Sequence, residues 1–182
     1  VDVLFITHKL SEEQLNKMGD LYFGEVPQML KKRGLTVSIV SILHFDYNLF
    51  SKGNRDKIGG DIYFPKKLNF VKEINIRRRC RKESKKLSRL AGQEKSSLRK
   101  KILDMASREA LSNSTQNSLR LGVQITAVLS DVKPKNLILL LEGHAYEKVV
   151  IGISRALHPS LNIISYQHTG LFKYSNSLKN IF

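Results

Sequence analysis

The chain has 182 residues, 41% of them hydrophobic, and carries 31 Lys and Arg against 16 Asp and Glu, a formal net charge of +15. That hydrophobic share excludes a disordered chain, and the length suffices for one domain with a real core. The single cysteine, Cys80, excludes an internal disulfide framework and a cysteine zinc cluster.

A reducing compartment follows as the expectation. No apolar run approaches the roughly 20 residues that span a bilayer, and the opening residues read as a strand rather than a signal peptide. A soluble, cytoplasmic protein is therefore expected. The chain opens without Met and stops in KYSNSLKNIF, directly after a strand-and-loop unit, which reads as part of a longer protein.

In chain order, the first strand is expected over 2–8 and closes at His8. The polar stretch KLSEEQLNKMGD leads to a helix over 20–33, where Lys31, Lys32 and Arg33 suit the carboxyl end of a helix dipole and Gly34 suits a left-handed stop. A second strand over 36–43 closes at His44. Residues 45–61 read as a loop, ended by the short extended piece DIYFP. From 67 to 130 the apolar positions Leu87, Leu90, Leu98, Ile102, Met105, Leu119, Val123, Ile125, Val128 and Leu129 fit helical spacing, giving two helices with a break near Gly92. SDVKPKN ends the second of them. A strand over 136–141 runs into EGHAYE, AYEKVVIGISRAL is a helix stopped by His158 and Pro159, and NIISYQH is the last strand.

Val/Ile/Leu-rich runs without polar alternation read as strands buried on both faces, which belong to parallel sheets covered by helices. The fold class is α/β, with a Rossmann-like, mostly parallel sheet built from two βαβ units. Residues 1–182 are read as a single Rossmann-like domain, with 66–106 as a basic helical insertion within it. From Lys66 to Lys101 fifteen Lys or Arg stand against Glu73, Glu83 and Glu94, so most of the charge excess lies there.

Four apolar runs end in histidine, at His8, His44, His144 and His168. In open sheets of this kind ligands bind beyond the carboxyl ends of the strands, so one edge collects the candidate chemistry. Glu142 and His144, where a strand turns into a helix, are suited to general-base work or to gripping sugar hydroxyls, with Glu147 in the first helical turn. Tyr166, Gln167, His168 and Thr169 form a second constellation directly after an apolar strand. Because adjacent strands deliver them, His144 and His168 are expected to face each other across a cleft, with His8 at its rim and His44 as a strand terminator. Gly24, in GDLYFG, either lets backbone approach a ligand or shapes a turn. The histidines lack the H-E-x-x-H spacing, and no metal is expected.

The VLFITH, GDLYFG, LLLEGHAYEKVVIGISRA and ISYQHTGLF segments together resemble bacterial surface carbohydrate (O-antigen or capsule) biosynthesis proteins related to GT-B glycosyltransferases. In those proteins a strand-end motif of E-G-x-x-x-E type, here Glu142 to Glu147, is followed by a Y-Q-H motif, here Tyr166 to His168. The resemblance spans most of the chain apart from the basic insertion. It implies the amino-terminal, acceptor-side half of a sugar-transfer cleft, inactive alone, because the carboxyl-terminal half mainly holds the nucleotide-sugar donor. No tightly bound cofactor is implied. Glu142, His144 and His168 become candidates for base and for diphosphate or hydroxyl contacts, and His8, Gly24, Glu147, Tyr166, Gln167 and Thr169 for substrate binding. The partners expected are a glycan or lipid-linked sugar acceptor, the missing carboxyl-terminal domain and, through residues 66–101, an anionic membrane surface at the inner face of the plasma membrane. Nucleic acid is a weaker expectation, since no aromatic interleaves the run after Phe70 until Tyr146. The alternative is a noncatalytic Rossmann-like binding or assembly module whose basic helices grip nucleic acid or an acidic partner.

Overall fold

All seven residues of β1, Val3–Lys9, are buried, as befits the middle strand of a sheet covered on both faces. The structure is a computed structural model that describes residues 1–15, 19–44, 61–64 and 67–167. Among these, β1 pairs in parallel with β2 (Val37–Leu43) on one side and with β4 (Asn136–Leu140) on the other. β3 (Ile62–Tyr63) extends the sheet beyond β2, and β5 (Asn162–Tyr166) extends it beyond β4. The order is β3-β2-β1-β4-β5 with every pair parallel, an α/β Rossmann-like sheet. β5 alternates exposed and half-buried positions, which corrects the expectation that its apolar run is buried on both faces. It is an edge strand.

The helices are α1 (Val26–Lys32), α2 (Phe70–Gln93), α3 (Ser97–Glu109), α4 (Asn113–Val132) and α5 (Ala145–Leu157), with a short 3₁₀ turn at Glu12–Leu15. α1 is shorter than the helix expected over 20–33. Asp20 and Gly24 exchange both of their backbone hydrogen bonds at 2.9 Å, so the chain closes a tight turn before the helix begins, with Pro27 in its first turn. Gly34, at φ +84°, ends it as expected. The region expected to hold two helices holds three. α2 runs through Gly92 and stops at Glu94, whereupon Ser96 caps α3 by accepting from the Arg99 N–H. A second break falls at Ser112, whose hydroxyl accepts from the Thr115 N–H at 3.1 Å and starts α4.

The chain divides into two compact units, Val1–Lys66 with Ile125–Phe182, and Lys67–Gln124; α4 begins in the second and ends in the first. In the sheet unit, Val3, Phe5, Ile39 and Leu140 pack with Phe23, and Leu30 of α1 lies against the same cluster. Phe5 meets Phe23 edge to face at 5.0 Å between centroids. The alternate side chains Leu4 and Ile6 are equally buried, as are Ile125 and Leu129 of α4 and Val150 and Ile151 of α5. At the amino ends of the strands the Asp2 carboxylate accepts from the Thr36 N–H and hydroxyl and pairs with Lys135, which together hold its pKa far below the usual carboxylate range.

The helical unit carries sixteen Lys or Arg against five Asp or Glu, so +11 of the chain's +15 sits in residues 67–124. α2 and α3 pack along a seam of small residues: the Ser107 hydroxyl donates to the Ser84 carbonyl at 3.1 Å, and its oxygen lies 2.7 Å from that of Ser88. Cys80 is a free thiol buried in this unit. Arg120 of α4 grips Glu73 of α2 with two parallel bonds of 2.7 and 2.8 Å, which lowers the Glu73 carboxyl to about 2.

Candidate functional site

The direction of chain travel reverses between β1 and β4. The chain goes outward through β2 and β3 on one side and through β4 and β5 on the other, which opens a crevice at the carboxyl ends of the two middle strands. Four aromatic or imidazole side chains converge there. His8 is the last residue but one of β1, His44 follows β2, His144 precedes α5, and Tyr146 lies in its first turn.

His8 is the centre of the group. Its Nδ1 lies 2.7 Å from His44 Nε2, and its Nε2 lies 2.5 Å from the Tyr146 hydroxyl. The Tyr146 ring packs edge to face on His8 and stacks on His144 at 5.9 Å, and Tyr22 closes a further side of His8. A neutral imidazole has one donor and one acceptor nitrogen, so the row Tyr146, His8, His44 can be bonded in two directions. In one, the tyrosine O–H donates to His8 and the His8 Nδ1–H donates to His44; in the other, both bonds reverse. Through His8 the row links a half-buried phenol to an exposed imidazole.

Burial sets its electrostatics. His8 is 8% exposed, and desolvation, reinforced by the nearby His44 and His144, lowers its pKa to about 4. His44 is shifted in the same direction, first by burial and then by His144. The Tyr146 phenol is pushed well above its ordinary value by burial and then by Glu147, Glu142 and Tyr22. At neutral pH the row holds an uncharged His8 against a protonated tyrosine.

Because the folded pKa of His8 lies below the unfolded value of about 6.5, the unfolded chain takes up the proton first as pH falls, and stability is lost between pH 6.5 and 4. Urea unfolding at pH 7 and pH 4.5 should differ by about 2 kcal/mol more in the wild type than in His8→Gln, which lacks the group. Equal pH dependence in both proteins would show that His8 ionises freely in the fold.

Two carboxylates hold the loops that carry these rings. Glu147 is fully buried, and its carboxylate accepts from the N–H groups of Glu142, Gly143 and His144 at 2.8–2.9 Å. Gly143 at φ +92° lets the chain wrap around it. Burial raises the Glu147 carboxyl, and the three amides oppose the shift. On the other loop, Asp20 accepts from the Thr7 hydroxyl and the Tyr22 and Phe23 N–H groups, and pairs with Lys9 Nζ at 3.5 Å, the two side chains being 3% and 7% exposed.

The expected residues are thus distributed unevenly. Glu142 and His144 lie together on the open side, Glu142 Oε2 being 3.8 Å from His144 Nε2, and the His144 side chain is 61% exposed. Tyr166 meets the ring of Phe23 at 5.7 Å. Gln167 follows β5, and His168 and Thr169 lie outside the described residues. The Gly24 N–H and carbonyl are bonded to Asp20, and Glu147 is committed to backbone. β4 and β5 are adjacent and parallel, as the expected pairing of His144 with His168 requires, but His168 lies outside the described residues; among these, the cluster centres on His8, because β1 is the middle strand. Tyr146 belongs to the EGHAYE constellation without having been assigned a role, and Lys9, Asp20 and Tyr22 enter the site unforeseen. Asp20 lies inside GDLYFG, between two glycines whose turn signal is stronger than that of a single carboxylate. Among the described residues no group of three or more His, Cys, Asp or Glu is arranged to hold a metal ion, and no helix is long and apolar enough to cross a membrane.

The site and sheet together define an α/β Rossmann-like unit with a polar cluster at its switch point. Compared with protein-family models, curated proteins and solved structures, the chain shows no match.

Proposed function

We propose that the sheet unit is the acceptor-side half of a sugar-transfer cleft in bacterial surface polysaccharide biosynthesis, acting in the cytoplasm. The observation that carries this reading is the pair of half-buried Glu142 and exposed His144 at the carboxyl edge of β4, beside the β1 and β4 crevice, within motifs that resemble those of the GT-B-related proteins. Glu142 takes the proton of an acceptor hydroxyl. The freed oxygen attacks the anomeric carbon of the donor sugar, and the bond to the donor phosphate breaks with its electron pair leaving on the nucleoside diphosphate. The donor belongs to the carboxyl-terminal half of such an enzyme. His144, beside the base, holds a second acceptor oxygen, and Glu142, open to solvent on one side, passes the proton on to water.

Calorimetric titration with soluble repeat-unit oligosaccharides of O-antigen or capsule tests this. Saturable binding is expected, weakened at least about tenfold, or about 1.4 kcal/mol, in Glu142→Gln and in His144→Ala. Wild-type protein that binds none of them, or variants that bind as tightly as wild type, would overturn the reading. The segregation of charge into residues 67–124 favours the other reading, a binding module for nucleic acid or an acidic partner, in the first of those outcomes.

A further inference from the structure

The helical unit exposes an apolar line that its own packing leaves uncovered. On α3, Leu98, Ile102 and Met105 follow the i, i+4, i+7 spacing of one helix face and are 69%, 55% and 61% exposed. The face that α3 turns to α2 is a different one. Ser107, buried and bonded to Ser84 and Ser88, lies nine residues from Leu98, which at 100° per residue is half a turn away. The line is edged by cations, with Lys101 and Arg108 on one side and Arg99 on the other, all exposed. Glu109 ends it and accepts from the Ser112 hydroxyl.

Three large apolar side chains in water, flanked by positive charge on a helix already anchored along its opposite face, are a poor match for solvent and a good one for the headgroup layer of a membrane. There the apolar line enters the acyl boundary, and the long Lys and Arg stems carry their charges back to phosphates. An uncharged protein groove would satisfy the line and leave the cations uncompensated. A nucleic-acid backbone would satisfy the cations and leave the line in water, and α3 carries no aromatic ring to stack on a base. We propose that α3 is a peripheral membrane-binding face, with Leu98, Ile102 and Met105 inserting at the interface of an anionic lipid bilayer and Arg99, Lys101 and Arg108 meeting its headgroups. The proposal adds a membrane surface to the reading above without using its sugar chemistry, so the glycan titration and the vesicle assay fail separately.

The test is flotation of the purified chain with vesicles of phosphatidylcholine alone and with about one third phosphatidylglycerol. Recovery with the anionic vesicles should exceed that with the neutral ones by roughly tenfold at about 0.1 M salt, and it should fall steeply at about 0.5 M. The triple variant Leu98→Ser, Ile102→Ser, Met105→Ser should lose roughly tenfold while keeping the helical circular dichroism of the wild type. If that variant does not fold, Lys101→Glu with Arg108→Glu, both at exposed positions, should show the same loss. Flotation unchanged in the triple variant would mean that charge alone acts, and would overturn the insertion. A wild type that stays in solution and forms a concentration-dependent dimer, abolished by the triple variant, would assign the line to a second copy of the chain. Displacement from anionic vesicles by an equal charge of duplex DNA, with the triple variant binding that DNA as the wild type does, would assign the cations to nucleic acid. Either result would overturn the proposal.

Discussion

Asp20→Ala is expected to cost about 3–5 kcal/mol of folding stability, because it removes the carboxylate paired with the buried Lys9 ammonium and leaves only the more distant Asp61 to offset that charge. The loss compounds itself. Three further donors, the Thr7 hydroxyl and the Tyr22 and Phe23 amides, point at the same carboxylate, and those of Thr7 and Phe23 are buried. Asp20→Asn keeps an acceptor for them but not the charge and should fall between the two. The pairing itself predicts a rescue. Lys9→Met added to Asp20→Ala removes the stranded charge and should recover a large part of the loss, since a buried ion pair contributes little net stability although breaking it is costly. Urea unfolding of the two single variants and the double variant measures the coupling. A cost below about 1 kcal/mol for Asp20→Ala, or no recovery in the double variant, would place Lys9 in water rather than on Asp20.

The second large effect belongs to Glu147. Glu147→Ala removes the acceptor shared by three backbone amides, each worth about 1–3 kcal/mol if stranded. The Glu142–His144 turn is only partly buried, so water recovers some of that, and burial already holds the carboxyl above its ordinary pKa, a penalty that vanishes with the side chain. The expected net cost is about 2–4 kcal/mol. Because the folded pKa is raised, the folded chain takes up the Glu147 proton first as pH falls and gains stability by it, so the cost of Glu147→Ala should grow as pH falls toward the ordinary carboxyl value of 4.5. Glu147→Gln retains one acceptor oxygen but aims an N–H₂ group at an amide, and should lose about half as much. Hydrogen exchange locates the damage: the amides of Glu142, Gly143 and His144 should exchange far faster in Glu147→Ala while those of β1 change least. Uniform acceleration across β1 and β4 would instead mean that the variant loosens the whole sheet.

How far these features can be read without the structure differs by element. β1, β2 and β4 were legible because a strand buried on both faces needs an unbroken apolar run, and VLFIT, VSIVSIL and NLILL are such runs. β5 has an equally apolar run and proved to be an edge, since an edge strand is defined by what lies beside it rather than by its own residues. The break near Gly92 was legible, since glycine weakens a helix by roughly 1 kcal/mol, and α2 ends one residue beyond it at Gln93. The second break, at Ser112, was not, because a lone serine cap is a weaker signal along the chain than a glycine. That Glu147 lies in the first turn of a helix is legible along the chain, but three amides converging on it depend on the left-handed Gly143 and on the fold of the turn.

The four strand-ending histidines mark the division most sharply. From the residues alone came a parallel α/β sheet, a polar carboxyl edge and a basic helical segment, because apolar periodicity and charge are properties of the chain read along its length. Which histidines meet depends on strand order, and strand order is settled by which faces and edges bury best in three dimensions. β1 took the middle, so His8 met His44 and Tyr146 at 2.7 and 2.5 Å across sequence separations of 36 and 138 residues. Burial then made a site of that meeting, by lowering the imidazole and raising the phenol, and no property of His8 or Tyr146 taken singly contains that.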